Sequence, residues 1–324
     1  MLYPTLTILA LTACGLENGV SRNTHTDTYN QEPASMVDIL WVIDDSGSMS
    51  ANQSRVAEGF EAFAAGLEST NIDFHLGVVT TDMDRENPNA GHLIGDPPYL
   101  TPDDDYLALF QERVQVGIEG SGKEKGLSAA LEALSEPTIS SYNEGFLRED
   151  AVVSIIFVSD EEDCSDNEAL ANEIDDACYL QDELLINIDL VIEDFRELKE
   201  DPSKVLASGI IGPPSEDACD STWHGRRYEK VINATGGVLG SICERDYDGI
   251  MDQLGLPVAG LRTVFELSYP ALEETIEVSV DEELIENSAS SGWTYDEEYY
   301  QIRFEGSYVP ERNTTISVTY EIAG

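Results

Sequence analysis

Val37-Asp38-Ile39-Leu40-Trp41-Val42-Ile43-Asp44-Asp45-Ser46-Gly47-Ser48-Met49-Ser50 is the stretch that decides the fold. A run as short and apolar as Ile39 to Ile43 reads as a strand buried on both faces, as at the centre of a parallel sheet. Gly47 and the serines around it cannot continue a strand and favour a turn. Asp44, Ser46 and Ser48 therefore sit on a loop at the strand's C-terminal end, where open α/β sheets place their ligands. Hard oxygen donors at i, i+2 and i+4 suit Mg²⁺, which prefers octahedral oxygen coordination and keeps several waters. An Asx or Ser turn closing a strand is the competing reading of the same residues.

The pattern repeats along the chain. Val56, Phe60, Phe63 and Leu67 recur at helical spacing and predict a helix over 51–69. A second strand over 72–80 is followed by Asp82 and Asp84. Residues 85–105 carry four prolines and predict a long loop, with a short edge strand near His92–Ile94. A helix near 105–115 leads to Gly120-Ser121-Gly122-Lys123-Glu124. A helix with Leu127, Ala130, Leu131 and Leu134 on one face comes next. Residues 151–159 form a second buried strand and again end in acid, Asp160-Glu161-Glu162-Asp163. A helix over 184–199, a strand over 204–211, a helix near 224–234, a short strand Val238–Ile242 and a helix near 246–254 complete the alternation. Strands alternating with helices imply a doubly wound, mainly parallel sheet of Rossmann-like type, with helices on both faces.

Asp44-x-Ser46-x-Ser48 after an apolar strand resembles the metal-ion-dependent adhesion site of von Willebrand factor type A domains. That resemblance implies a divalent cation, usually Mg²⁺ with Mn²⁺ or Ca²⁺ as alternatives, whose shell is completed by an Asp or Glu of a protein partner. It also implies two further ligands. A hydroxyl residue ahead of the next helix is matched by Ser121, with serine for the usual threonine. An aspartate after the fourth strand is matched by Asp160. Asp45, Asp82 and Glu124 are supporting or alternative oxygen donors. The acidic, cysteine-bearing run from Val158 to Ser165 is similar to a branch of bacterial lipoproteins of this type. The resemblance covers residues 37–255.

Residues 1–14 read as a targeting segment. Leu2 to Ala13 is largely apolar, too short to span a bilayer, and Leu11-Thr12-Ala13-Cys14 resembles a bacterial lipobox. Cys14 would carry the lipid, and Gly15 after it favours the outer membrane. No Lys or Arg precedes the apolar run, which departs from the usual signal. Residues 15–35 are polar and aperiodic and predict a flexible tether. The α/β domain spans 36–256. Residues 257–324 change to period two, as in Ile276, Val278 and Val280, and predict a small antiparallel β module. Gly292 to Asp296 reads as a turn within it, and its aromatics as core.

Sixty-four acidic residues against 17 basic give a net charge of −47, which excludes a nucleic-acid partner because nothing neutralises phosphates. Cys164, Cys178, Cys219 and Cys243 read as two disulfides of an exported chain, sequential pairing preferred because each bond closes a local loop. No Cys-x-x-Cys spacing supports the alternative of zinc. The nine acidic residues from Asp160 to Asp176 form either a solvated loop or a second, Ca²⁺-type site. No P-loop, Gly-x-Ser-x-Gly elbow or His-Glu-x-x-His string is present, so the chain is not expected to be an enzyme. The expectation is a lipid-anchored envelope protein that binds a protein partner through a divalent metal, with cell adhesion as its role. A structural envelope protein whose metal only orders a loop, and a metal-dependent hydrolase, are the alternatives.

Overall fold

A computed structural model describes residues 23–31, 34–70, 72–170, 173, 177–214, 219–220, 222–258, 261–304 and 308–323. Cys14 and the targeting segment lie outside the described residues. The centre of the molecule is a five-stranded parallel sheet. Its strands are β2 (Met36–Ile43), β3 (Asp73–Thr80), β4 (Val152–Ser159), β5 (Val205–Ile211) and β6 (Leu239–Ser241), in the order β3-β2-β4-β5-β6. β2 pairs in parallel with both β3 and β4, so it is shielded on both edges as well as both faces.

The two faces of β2 divide the core by pleat parity. Val37, Ile39, Trp41 and Ile43 point towards α1 (Ser50–Thr70), α2 (Tyr106–Arg113) and α7 (Asp248–Val258). Leu40 and Val42 point towards α3 (Gly126–Leu134), α5 (Ile188–Arg196) and α6 (Arg226–Thr235). α4 (Ala177–Leu180) is a single turn in the loop after β4. α1 and α7 cross closely because Gly66 meets Gly255, and a Cβ at Gly66 would stand 3.0 Å from the Gly255 carbonyl oxygen. Under them Trp41 meets Phe63 and Phe110 edge-on at 5.3 and 5.2 Å, an aromatic geometry that adds to area burial. Asp38 is the buried exception on β2. It accepts from Arg148 Nε at 2.7 Å and from the Arg148 backbone N–H at 2.6 Å, so its charge is paired where it is buried.

The C-terminal residues, joined by one strand from the N-terminal side, form two antiparallel sheets sharing one core. One has the order β1-β12-β8-β9, from β1 (Thr24–Asn30), β12 (Thr315–Glu321), β8 (Glu277–Val280) and β9 (Glu283–Ile285). The other has the order β10-β11-β7, from β10 (Trp293–Asp296), β11 (Gln301–Phe304) and β7 (Val264–Glu266). Val278, Ile316, Val318 and Tyr320 of the first sheet meet Phe265, Trp293, Ile302 and Phe304 of the second, as in a sandwich.

Three expectations are corrected here. The tether assigned to residues 15–35 contains β1, which pairs with β12 from Thr24↔Glu321 to Asn30↔Thr315. Polar alternation around Tyr29 carries too little hydrophobicity to announce a strand whose partner lies almost 300 residues away. The turn read at Gly292–Asp296 is β10, hydrogen-bonded to β11, with Trp293 in the core. His92–Ile94 is not a strand. The loop is held instead by single bonds, Ile94 N–H to the Val78 carbonyl at 2.8 Å and a reciprocal pair between Leu76 and Leu100.

Candidate functional site

The order of the parallel sheet reverses at β2 and β4, so the loops leaving these neighbours diverge to opposite faces and open a crevice at the C-terminal edge. Asp44 follows β2 directly and is tied to β4 by its N–H, 3.0 Å from the Val158 carbonyl. Its Oδ1 accepts the Ser46 N–H at 2.8 Å, which closes the turn that Gly47 allows. Its Oδ2 accepts Ser159 Oγ at 2.7 Å. Gln53, from the first turn of α1, donates to the Asp44 carbonyl at 2.9 Å and to the Gly117 carbonyl at 2.7 Å, pinning the loop from behind.

Asp160 lies opposite, one residue past β4. Ser48 Oγ donates to Asp160 Oδ1 at 3.0 Å, and Ser46 Oγ lies 3.2 Å from Ser48 Oγ. Asp44, Ser46, Ser48 and Asp160 are thus brought together as the sequence predicted, across 112 residues of chain. Asp44 and Asp160 are buried while Ser48 is exposed, so the cluster opens to solvent at the Ser48 end.

Ser121 is not joined to this cluster. Its Oγ accepts the Lys123 N–H at 3.2 Å, within its own loop. Glu124 occupies the interior instead. It is fully buried, Thr81 Oγ1 hydrogen-bonds its Oε2, and its Oε1 has no hydrogen-bond partner. Asp45 packs on the far side of Asp44, with Thr81 Oγ1 at 3.4 Å from its Oδ1. The Gly120 N–H donates to the Asp45 carbonyl at 2.9 Å, and a side chain at Gly120 would collide with the Asp45 carboxylate. Asp82 turns into its own loop and accepts the Asp84 N–H at 2.9 Å. Sequence reasoning missed Ser159, Thr81 and Gln53. Ser159 and Thr81 end or follow strands of the same sheet edge, and that position was the available signal.

These carboxylates carry little compensation. Among the described residues, no Lys or Arg forms an ion pair with Asp44, Asp45, Glu124 or Asp160. The nearby lysines face elsewhere: Lys123 Nζ donates to the Leu170 and Glu173 carbonyls, and Lys125 Nζ pairs with Asp166 at 2.6 Å. Burial, then the charge of Asp44, pushes the Asp160 carboxyl up to about 6. Burial, then Asp82 and Asp44, pushes Asp45 up to about 6. Burial followed by Asp44 drives Glu124 well above the usual carboxylate range, and burial raises Asp44 itself.

In the acidic loop after Asp160, two of the buried charges are paired with arginines. Arg226 Nε donates to Glu162 Oε2 at 3.0 Å and Arg227 Nε to Asp163 Oδ2 at 2.9 Å. Asp163 also accepts the Leu127 N–H and Ser165 Oγ. Glu162 and Asp163 thus anchor α3 and α6, and Asp166 pairs with Lys125 ahead of α3. Two disulfides, Cys164–Cys178 and Cys219–Cys243, join the four cysteines in the sequential pairing. Zinc ligation by these residues is thereby excluded.

No family model matches the chain, and no curated protein matches it. Among solved structures, a proximal thread matrix protein of the mussel byssus is 15% identical with TM-score 0.39, over 74% of this chain and 51% of that one. The pilus adhesin SpaC of Lactobacillus rhamnosus GG is 9% identical with TM-score 0.41, over 92% and 41%. The pilus adhesin RrgA of Streptococcus pneumoniae is 10% identical with TM-score 0.37, over 94% and 59%. The chain thus spans about half the length of these structures. The von Willebrand type A resemblance is not upheld. No family model supports it, and among the described residues no group of three or more His, Cys, Asp or Glu is placed to hold a metal ion. The five-position motif reflects a strand closed by an Asx turn, a local geometry open to many families, and Ser121 departs from the pattern. What stands is an α/β fold with a parallel five-stranded sheet and an antiparallel C-terminal module. No helix among the described residues is long and apolar enough to cross a membrane.

Proposed function

We propose that the crevice between β2 and β4 binds a divalent cation, Mg²⁺ first and Mn²⁺ or Ca²⁺ as alternatives, and through it a carboxylate of a protein partner. One observation carries the reading. Asp44 and Asp160 are buried, linked through the hydroxyls of Ser46 and Ser48, and have no cationic side chain against them. Buried carboxylates with no counter-charge are costly, and a hard cation with oxygen ligands is the chemistry that offsets them. The residues fit such an ion by donor type, with two carboxylates and two hydroxyls converging at the sheet edge. Two carboxylates plus neutral hydroxyls also leave the ion short of oxygen ligands on the exposed Ser48 side, where an Asp or Glu of a partner can enter.

Binding and not chemistry is the role this supports. The hydroxyls of Ser46 and Ser48 face each other and the Asp160 carboxylate, as ligands of one ion would, and among the described residues no histidine is hydrogen-bonded to either. The membrane attachment we propose is through lipid on Cys14, at the outer membrane, and Cys14→Ala is expected to move the protein to the soluble fraction. Isothermal titration with Mg²⁺ and Mn²⁺ tests the site. Asp44→Ala and Asp160→Ala are expected to abolish the heat of binding while folding is retained, and unchanged titrations in both variants would remove the proposal.

A further inference from the structure

Beside Asp160 stands an aromatic pair that the cation site does not use. Trp223 and Tyr179 stack with ring centroids 4.5 Å apart and planes 28° from parallel. Trp223 is 52% exposed, whereas Trp41 and Trp293 are buried in the two cores. The pair is fixed to the site by backbone, since the Trp223 N–H donates to the Asp160 carbonyl at 2.8 Å. Each ring also stands near a disulfide. Tyr179 follows Cys178 of Cys164–Cys178, and Trp223 follows Thr222, whose Oγ1 lies 3.0 Å from Cys219 Sγ. A large half-exposed aromatic held this rigidly loses little conformational entropy on binding, the property that makes Trp and Tyr contact residues.

The surroundings select the occupant. Tyr179 Oη donates to Glu161 Oε2 at 3.2 Å and is approached by the Glu162 N–H at 3.4 Å. Glu162 is paired with Arg226, so the Glu161 carboxylate, in contact with the Tyr179 hydroxyl, is the negative group beside the stack. The exposed ring face of Trp223 carries the negative lobe of its quadrupole, and the chain as a whole has a net charge of −47. A purely apolar side chain would fill the ring face and ignore that field. A guanidinium or ammonium group satisfies both.

We infer that the Tyr179–Trp223 stack, with Glu161 beside it, receives an Arg or Lys side chain of the partner whose carboxylate enters the cation site. The inference takes the partner from the proposed function and adds the chemistry of its neighbouring residue. Blocked peptides carrying one Asp and one Arg, joined by glycine spacers of varied length, are the probes, with norleucine in place of Arg as control. Trp223 is the exposed tryptophan, so protection of fluorescence from acrylamide quenching reports its coverage directly. In Mg²⁺ the Arg peptide is expected to protect Trp223 and to bind about tenfold more tightly than the norleucine peptide. Trp223→Leu and Glu161→Gln, each checked by thermal melting, are expected to erase that difference. Chelator separates the two ideas. Arg preference that persists without cation supports the stack and counts against the cation bridge. Cation-dependent binding with equal affinity for Arg and norleucine overturns the stack and leaves the cation bridge standing.

Discussion

Replacing Asp160 by Asn isolates the charge that the site must carry. The amide keeps an oxygen to accept Ser48 Oγ, now 3.0 Å from Asp160 Oδ1, and alters volume very little. In cation-free protein the Asp160 carboxyl titrates near 6 against an ordinary 3.8, because burial and the neighbouring Asp44 disfavour its charge. The folded state therefore holds a proton more tightly than the unfolded chain. Its contribution to stability is present below about pH 4 and is lost as pH rises through about 6. A displacement of about two units corresponds to about 3 kcal/mol, lost in full only at pH well above 6. Asp160→Asn is thus expected to match the parent at about pH 4 and to exceed it by up to about 3 kcal/mol at about pH 8 in chelator. Mg²⁺ closes most of that gap: at a hundredfold excess over its dissociation constant it stabilises the parent by about 2.7 kcal/mol and the variant far less. Urea unfolding followed by circular dichroism, at both pH values with chelator and with Mg²⁺, reads all four states. A variant no more stable than its parent at the higher pH refutes the argument from buried charge. Equal stabilisation of both proteins by Mg²⁺ refutes Asp160 as a ligand.

Three further outcomes are expected from other parts of the molecule. Mass spectrometry of non-reduced peptides should recover the Cys164–Cys178 and Cys219–Cys243 linkages, and replacing Cys164 and Cys178 together by Ala should cost about 3 kcal/mol for a loop of this length. Asp27 on β1 accepts from the Ser268 N–H at 2.9 Å, Ser268 Oγ at 2.6 Å and Tyr320 Oη at 2.7 Å. Burial alone would raise its carboxyl, but these bonds outweigh it and hold the group below its usual value, so its contribution is lost as pH falls through that lowered value. Asp27→Ala should cost about 3 kcal/mol at neutral pH by orphaning these donors, and denaturant titration showing no loss would mean β1 is not bound to the C-terminal sheet. Gly120→Ala places a methyl against the Asp45 carboxylate and should cost about 1–3 kcal/mol in a thermal melt, whereas Gly47→Ala, which meets nothing within 4 Å, should cost less.

The apolar runs of β2, β4 and β5 and the helical spacing of Phe60, Phe63 and Leu67 were legible because burial on both faces writes itself into local hydrophobicity. The sequence also placed Asp44, Ser46, Ser48 and Asp160 at strand ends, and parallel strands put those ends on one edge of the sheet. Sequential disulfide pairing followed the same local logic of short loops. Other decisions required the folded molecule. β1 is a polar stretch with no local signature, and only its pairing with β12 and the bonds of Asp27 make it a strand. Which oxygen stands behind Asp44 was decided by the path of the loop before α3. That path turns Ser121 to its own backbone and drives Glu124 inward against Thr81. The state of the acidic residues after β4 depended on Arg226 and Arg227, about 60 residues further along the chain. Composition records how many charges a chain carries. Only packing assigns each one a partner or leaves it without, because that depends on distances of a few ångströms between segments far apart in sequence.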